Sequence, residues 1–204
     1  MNEITNRIDC VIAAIDAANG RDPTVTVDEG AQVPAELAYG QRMTRALTRM
    51  IPDASEHLRI AVRGQHVERW TVPRTSYPEG KAGYYRWRNE LKDYHARRLG
   101  ALMAECGYGD DDIARVRALV RKERAREDAE AQAVEDVACV VFLEHYLDAF
   151  MARTPVEKMP VILAKTWKKM SEQGHAHALR LPLPAEVPVL LQQGLKQLDE
   201  GGKV

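Results

Sequence analysis

Strand signals are almost absent from this sequence. The one alternating run, Thr24–Val27, is short and lies in a loop rich in Pro, Asp and Gly, which excludes a sheet as the organising core. Long apolar runs are missing too. None approaches the roughly 18 residues that a membrane span needs, and the longest, Val137–Leu143, fits a buried helix segment. Met1–Asp9 carries acidic residues where a secretion signal would need a basic start and an apolar run. Cysteine is scarce. Cys10, Cys106 and Cys139 are far apart, odd in number and without CxxC spacing, which argues for buried inert thiols in a reducing, cytoplasmic compartment. The same scarcity argues against a zinc knuckle or a disulfide framework. An excess of either charge is also lacking. A net charge of −1 excludes a globally basic nucleic-acid binder, so any anion site must come from local clustering.

What remains reads as helix with punctuation. At 204 residues, 45% hydrophobic and 29% charged, the chain predicts an all-α fold, a single compact multi-helix domain over 1–183 with a C-terminal helical tail over 184–204. Ile4, Ile8, Ile12 and Ile15 share one face of a first helix ending before Gly20. Pro34 opens a second helix. Asp53 and Glu56 have capping-box spacing for a third, expected to end near Trp70. Tyr84, Trp87, Leu91, Tyr94, Leu99 and Leu102 trace a long helix stopped by Gly107, and Asp110–Asp112 start the next. The charged stretch Arg121–Asp128 alternates in sign and reads as a solvated helix end. The most apolar helix follows over Val134–Phe150, then one from Thr154-Pro155 to Gly174, and a last short one over Val189–Leu198.

One segment concentrates chemistry. Six aromatic residues (Trp70, Tyr77, Tyr84, Tyr85, Trp87, Tyr94) fall within 25 positions. From Arg63 to Arg98 there are nine Lys/Arg against four Asp/Glu, and two of the six histidines, His66 and His95. Guanidinium forks bind phosphate-like oxyanions bidentately, and aromatic faces supply apolar walls or stacking platforms. Helical spacing marks Tyr84, Trp87 and Tyr94 as core. No helix period explains Arg74 and Tyr77, which sit in a Pro-Arg-Thr-Ser-Tyr-Pro loop, where functional groups often reside. Glu135-Asp136 is an acidic pair at the start of a buried helix, more charge than a helix dipole needs.

The strings Arg-Gly-Gln-His-Val-Glu-Arg-Trp (63–70), Val-Pro-Arg-Thr-Ser-Tyr-Pro (72–78), Gly-Tyr-Tyr-Arg-Trp-Arg (83–88) and Tyr-His (94–95) resemble the family called domain of unknown function 4202. So do Glu36-Leu-Ala-Tyr (36–39), Glu135-Asp136-Val137 and Lys165-Thr-Trp-Lys-Lys-Met-Ser (165–171). That resemblance implies no activity. The order of the histidines and the late aspartate is also similar, more distantly, to the HD superfamily of metal-dependent phosphohydrolases, which implies an HD-like helical fold. Val67 follows His66 where those enzymes carry a metal-bridging aspartate, Tyr39 or Gln41 stands at the first histidine's place, and Lys122-Glu123 stands where binuclear members have histidine.

The expectation drawn from this resemblance is a degenerate metal-dependent phosphohydrolase acting on a nucleotide or other phosphorylated small molecule. It makes His66, Asp136 and Glu135 catalytic. One divalent transition metal (Mn, Fe, Co, Ni or Zn) would sit on His66, His95 and Asp136. The substrate would be held by Arg69, Trp70, Arg74, Tyr77 and Arg88. The alternative is a non-catalytic nucleotide- or anion-binding module in the same basic, aromatic pocket. A third reading, an RNA-stacking surface, is disfavoured by the net charge.

Overall fold

The computed structural model describes residues 6–123 and 127–201. Ile4 of the first apolar stripe, and residues 124–126 of the charged stretch, lie outside them. The all-α expectation holds: among the described residues there are ten α-helices and one two-stranded hairpin. The chain gathers into two compact units, 1–134 and 135–204, divided between Val134 and Glu135. The C-terminal helix, within the tail expected over 184–204, packs on a helix of the second unit.

In the first unit, α1 (Arg7–Asn19) buries Ile8, Val11 and Ile15 along one stripe. The hairpin follows, β1 (Val25–Asp28) antiparallel to β2 (Ala31–Pro34), closed by Glu29 and Gly30, both at positive φ. It is the short strand pair that the Thr24–Val27 run suggests. Helix α2 (Ala35–Met50) starts directly after Pro34, which offers no side-chain cap. Asp22 supplies one from a distance: its Oδ2 accepts the Glu36 N–H at 3.0 Å and its Oδ1 the Thr24 N–H at 2.9 Å.

Helix α3 (Glu56–Arg63) is capped by Ser55, whose hydroxyl accepts the Leu58 N–H at 3.1 Å, and not by the Asp53–Glu56 box. It stops at Gly64, earlier than the expected end near Trp70. The chain then takes two short 3-10 turns, Arg69–Thr71 and Arg74–Ser76, before α4 (Gly80–Glu105). Gly83 lets the loop fold back onto α4, because a Cβ there would meet the Pro78 carbonyl oxygen at 1.9 Å. Gly107, at φ +81°, ends the approach to α5 (Asp110–Arg121).

Two readings of the sequence are corrected here. Cys10, on α1, and Cys106, at the end of α4, form a disulfide across a sequence separation of 96, while Cys139 alone keeps the buried thiol expected of all three. Spacing gave no hint because the two half-cystines meet only once α1 packs on α4. Their pairing removes the ground for reading a reducing compartment from the cysteines. No helix among the described residues is long and apolar enough to cross a membrane. Arg63, counted in the basic stretch, is no free cation either: it is buried and forks onto both Asp16 oxygens, at 2.7 and 2.6 Å.

The second unit begins inside α6 (Ala129–His145) and continues through α7 (Leu147–Arg153), α8 (Met159–Trp167), α9 (Glu172–Ala178) and α10 (Val187–Gly201). The apolar stretch expected as one helix to Phe150 breaks at Tyr146. Its core gathers Leu143, Leu147, Met159, Leu163, Met170 and Val187. Leu163, Trp167, Leu179 and Leu183 help to line an apolar hollow beside that core.

Candidate functional site

Three elements of the first unit converge on His66. Helix α2 brings Glu36 and Tyr39, the turn after α3 brings Gln65 to Arg69, and α4 brings Trp87 and His95. The Tyr39 ring stacks on the His66 ring at 4.0 Å and 10°, and its hydroxyl donates to Gln65 Oε1 at 2.9 Å. The His66 and His95 rings lie 5.8 Å apart.

Partners fix the tautomers. A guanidinium has no lone pair, so Arg69 Nη1, 3.3 Å from His66 Nε2, must donate to it. The His66 hydrogen is therefore on Nδ1, which points at Glu36 Oε2 from 3.5 Å, too far for a good hydrogen bond. In His95, Nδ1 lies 2.9 Å from the Val67 carbonyl oxygen, which can only accept, so Nδ1 carries the hydrogen and Nε2 the lone pair. Among the described residues that Nε2 is buried without a hydrogen-bond partner, and so is Glu36 Oε2.

The electrostatics follow from burial. Burial chiefly, then the charges of Arg69, Lys122 and Arg88, pushes His66 well below the usual imidazole range. His95 is pushed down to about 3, first by burial and then by His66. Burial raises Glu36 to about 7, with Arg69 pulling it down and Asp22 adding to the rise. Near neutral pH the site therefore holds two neutral imidazoles and one carboxyl poised between its forms, beneath a guanidinium. The Arg69 guanidinium lies over Trp87 at 4.9 Å and its Nε is 3.9 Å from Glu36 Oε1, so it has no bidentate partner among the described residues.

Of the other expected residues, Arg88 adds positive charge at His66 while its guanidinium lies 5.8 Å from the Tyr84 ring centre. Arg74 closes its own turn by donating to the Tyr77 carbonyl at 2.9 Å, and the Tyr77 hydroxyl donates to Glu90 at 2.5 Å. Trp70 is half-buried in the first 3-10 turn. Tyr84 is 41% exposed and so is not the core residue that helical spacing suggests. Trp87 and Tyr94 are half-buried and spend their polar atoms on the Val72 carbonyl and on Glu68.

Asp136 and Glu135 belong to the second unit. Asp136 is 3% exposed and its oxygens accept the Ser171 N–H at 2.8 Å and hydroxyl at 2.5 Å, anchoring the start of α9. Gly174 makes room for that carboxylate, since a Cβ there would lie 2.8 Å from it. Glu135 is 3.7 Å from the Lys169 ammonium. Among the described residues no group of three or more His, Cys, Asp or Glu side chains is placed to hold a metal ion.

The model of the family described as domain of unknown function (DUF4202) matches residues 9–191. This chain belongs to that family. The DUF4202 match takes in every residue of the His66 cluster and the Asp136–Ser171 anchor. No curated protein and no solved structure matches the chain.

Glu36 and Glu68 are the site residues that reasoning from sequence passed over. An acidic residue in the first turn of a helix reads as a partner of the helix dipole, and nothing local marks Glu36 as buried against imidazole. The signal that could have raised it was its place in the Glu36-Leu-Ala-Tyr39 string.

Proposed function

We propose that this chain recognises a small phosphorylated molecule at the cluster of Glu36, His66, Arg69 and His95, and that it takes up a proton as it does so. One observation carries the reading: two buried polar atoms, Glu36 Oε2 and His95 Nε2, lack hydrogen-bond partners among the described residues, beside a guanidinium with no bidentate partner there. An orphaned buried acceptor costs on the order of 1–3 kcal/mol and calls for a ligand, an ion or water. A phosphate oxyanion would take the Arg69 fork. Its charge would favour the protonated form of Glu36, which then donates a hydrogen bond to it. His95 Nε2 would accept from a ligand hydroxyl or a water.

Arg69→Ala tests the assignment. In the parent, inorganic pyrophosphate is expected to raise the melting temperature, the gain reaching about 2.7 kcal/mol at a concentration 100 times Kd. In the variant the gain should vanish. An equal response in both would move the anion elsewhere.

A second reading, hydrolysis of the bound phosphoester, is favoured by the titration of Glu36 at about 7, where a carboxylate can accept the proton of an attacking water near neutral pH. Its metal-dependent form requires a bound Mn, Fe, Co, Ni or Zn ion. A screen of nucleotides and sugar phosphates with each ion, on the parent, Glu36→Gln, His66→Ala and Asp136→Asn, separates the cases. Turnover lost in Glu36→Gln and independent of ion supports the acid–base form. Turnover that needs an ion and disappears with His66→Ala and Asp136→Asn supports the metal form. Pyrophosphate binding without turnover leaves recognition alone.

A further inference from the structure

Glu68 is one of three non-glycine residues of the first unit at positive φ among the described residues, with Glu29 and Lys122, and the one that lies beside the site. Its φ and ψ of 51° and 34° are left-handed, a conformation unfavourable for a side-chain-bearing residue that persists only where surroundings enforce it. The surroundings are specific. Its N–H donates to Asn19 Oδ1 at 2.9 Å, and the Asn19 amide, 1% exposed, in turn donates to the Glu36 carbonyl at 3.3 Å. Its carboxylate accepts from Arg21 at 2.8 Å, from Arg98 at 2.7 Å and from the Tyr94 hydroxyl at 3.1 Å. Burial pushes the acid up, but Arg98, then Arg21 and the Tyr94 hydroxyl, together outweigh it and hold it below its ordinary range.

The residues beside Glu68 in the chain are those the site uses. Val67 gives the carbonyl that takes the His95 Nδ1 hydrogen, and Arg69 gives the guanidinium. Tyr94 is the neighbour of His95 on α4, and Arg98 lies one turn further on. The carboxylate therefore pins the turn to the stretch of α4 that carries His95, while the backbone amide pins it to the last residue of α1.

We infer that Glu68 is the positioning residue of this site: it holds the Val67 carbonyl on His95 Nδ1, and so keeps the lone pair of His95 on Nε2. The role rests on the phosphate-recognition reading only for its consequence in binding. The tautomer can be read without any ligand.

The test uses the full chain with ¹⁵N-labelled histidine, in the parent and in Glu68→Gly and Glu68→Gln. Glycine adopts the left-handed conformation freely, so Glu68→Gly removes the carboxylate while sparing the backbone. Glu68→Gln keeps the shape and loses the charge, and serves if the glycine variant does not fold. The parent should show His95 as a single neutral tautomer protonated at Nδ1. The variants should show averaged ring-nitrogen shifts at His95, with pyrophosphate affinity lowered by roughly tenfold, as when the partner that orients a binding imidazole is lost. Variants that melt lower while His95 keeps the parent's shifts would make Glu68 a structural strut only and overturn the inference. If the parent binds no pyrophosphate, the recognition reading falls, and the ring-nitrogen shifts still decide the role of Glu68.

Discussion

Glu36→Gln is expected to stabilise the protein at pH 8 and to leave its stability near pH 4 almost unchanged. The Glu36 acid is raised from 4.5 to about 7 on folding, chiefly by burial. The folded chain thus holds this proton more tightly than the unfolded chain. Its contribution is complete below 4.5, fades as pH rises, and is lost through 7. At pH 8 the buried carboxylate costs the fold ~3 kcal/mol, because each tenfold change in proton affinity on folding is worth about 1.4 kcal/mol. Glutamine keeps the shape and carries no charge. Thermal unfolding should show the variant melting roughly 6–12 °C higher at pH 8, taking 2–4 °C per kcal/mol for a chain of this size. Equal melting temperatures at pH 8 would mean that the carboxyl is solvated and the site is not as described. A gain in stability on removing a group is the mark of a position kept for binding or chemistry.

The imidazoles run the other way. His95 falls from 6.5 to about 3 on folding, so the folded chain holds its proton less tightly and stability is lost as pH falls below 6.5. His66 moves in the same direction.

Reduction of the Cys10–Cys106 disulfide should produce the largest loss of stability of any single bond change. The closed loop is long, with a sequence separation of 96. The chain-entropy account gives ~4.7 kcal/mol for a loop of about that length. With roughly 2–4 °C per kcal/mol, the melting temperature should drop by about 9–19 °C in a phosphine reductant, and by a similar amount in the Cys10→Ala/Cys106→Ala double variant. The double variant should then be insensitive to the reductant. A parent whose unfolding is the same with and without reductant would show that the two thiols are not paired.

Much of the fold was legible in local patterns. The stripe of Ile8 and Ile15, the start at Pro34, the glycine stop at Gly107 and the short hairpin follow from period and punctuation alone, and their packing did not have to be known. The errors share a cause. Ser55 took the cap from Asp53, and the helix after it stopped at Gly64, because caps are decided by which hydroxyl reaches an orphan N–H. Cys10 found Cys106, and Arg63 found Asp16, through helix packing that no local window contains. Asp136 shows the limit most clearly. Two adjacent acids exceed what their own helix needs, and one of them serves the start of α9, which sequence reasoning had merged into the end of the preceding helix. In the candidate site, His66, His95 and Arg69 stood out by clustering with aromatic and basic neighbours. Glu36 and Glu68 did not, because a carboxylate's importance here comes from burial against imidazole and from a left-handed backbone, neither of which residue type reveals.

Proton uptake on anion binding tests the recognition claim most directly. Titration calorimetry of the parent with inorganic pyrophosphate at pH 7.5, in two buffers of different ionisation enthalpy, counts protons exchanged per anion bound. With Glu36 titrating at about 7 and so about a quarter protonated at pH 7.5, anion binding beside it should draw in a proton, giving an uptake on the order of 0.5–0.8 per site and an affinity that weakens above that pH. Glu36→Gln should bind with no uptake from this group. Binding with the same heat in both buffers for the parent, or the same uptake in Glu36→Gln, would contradict the account.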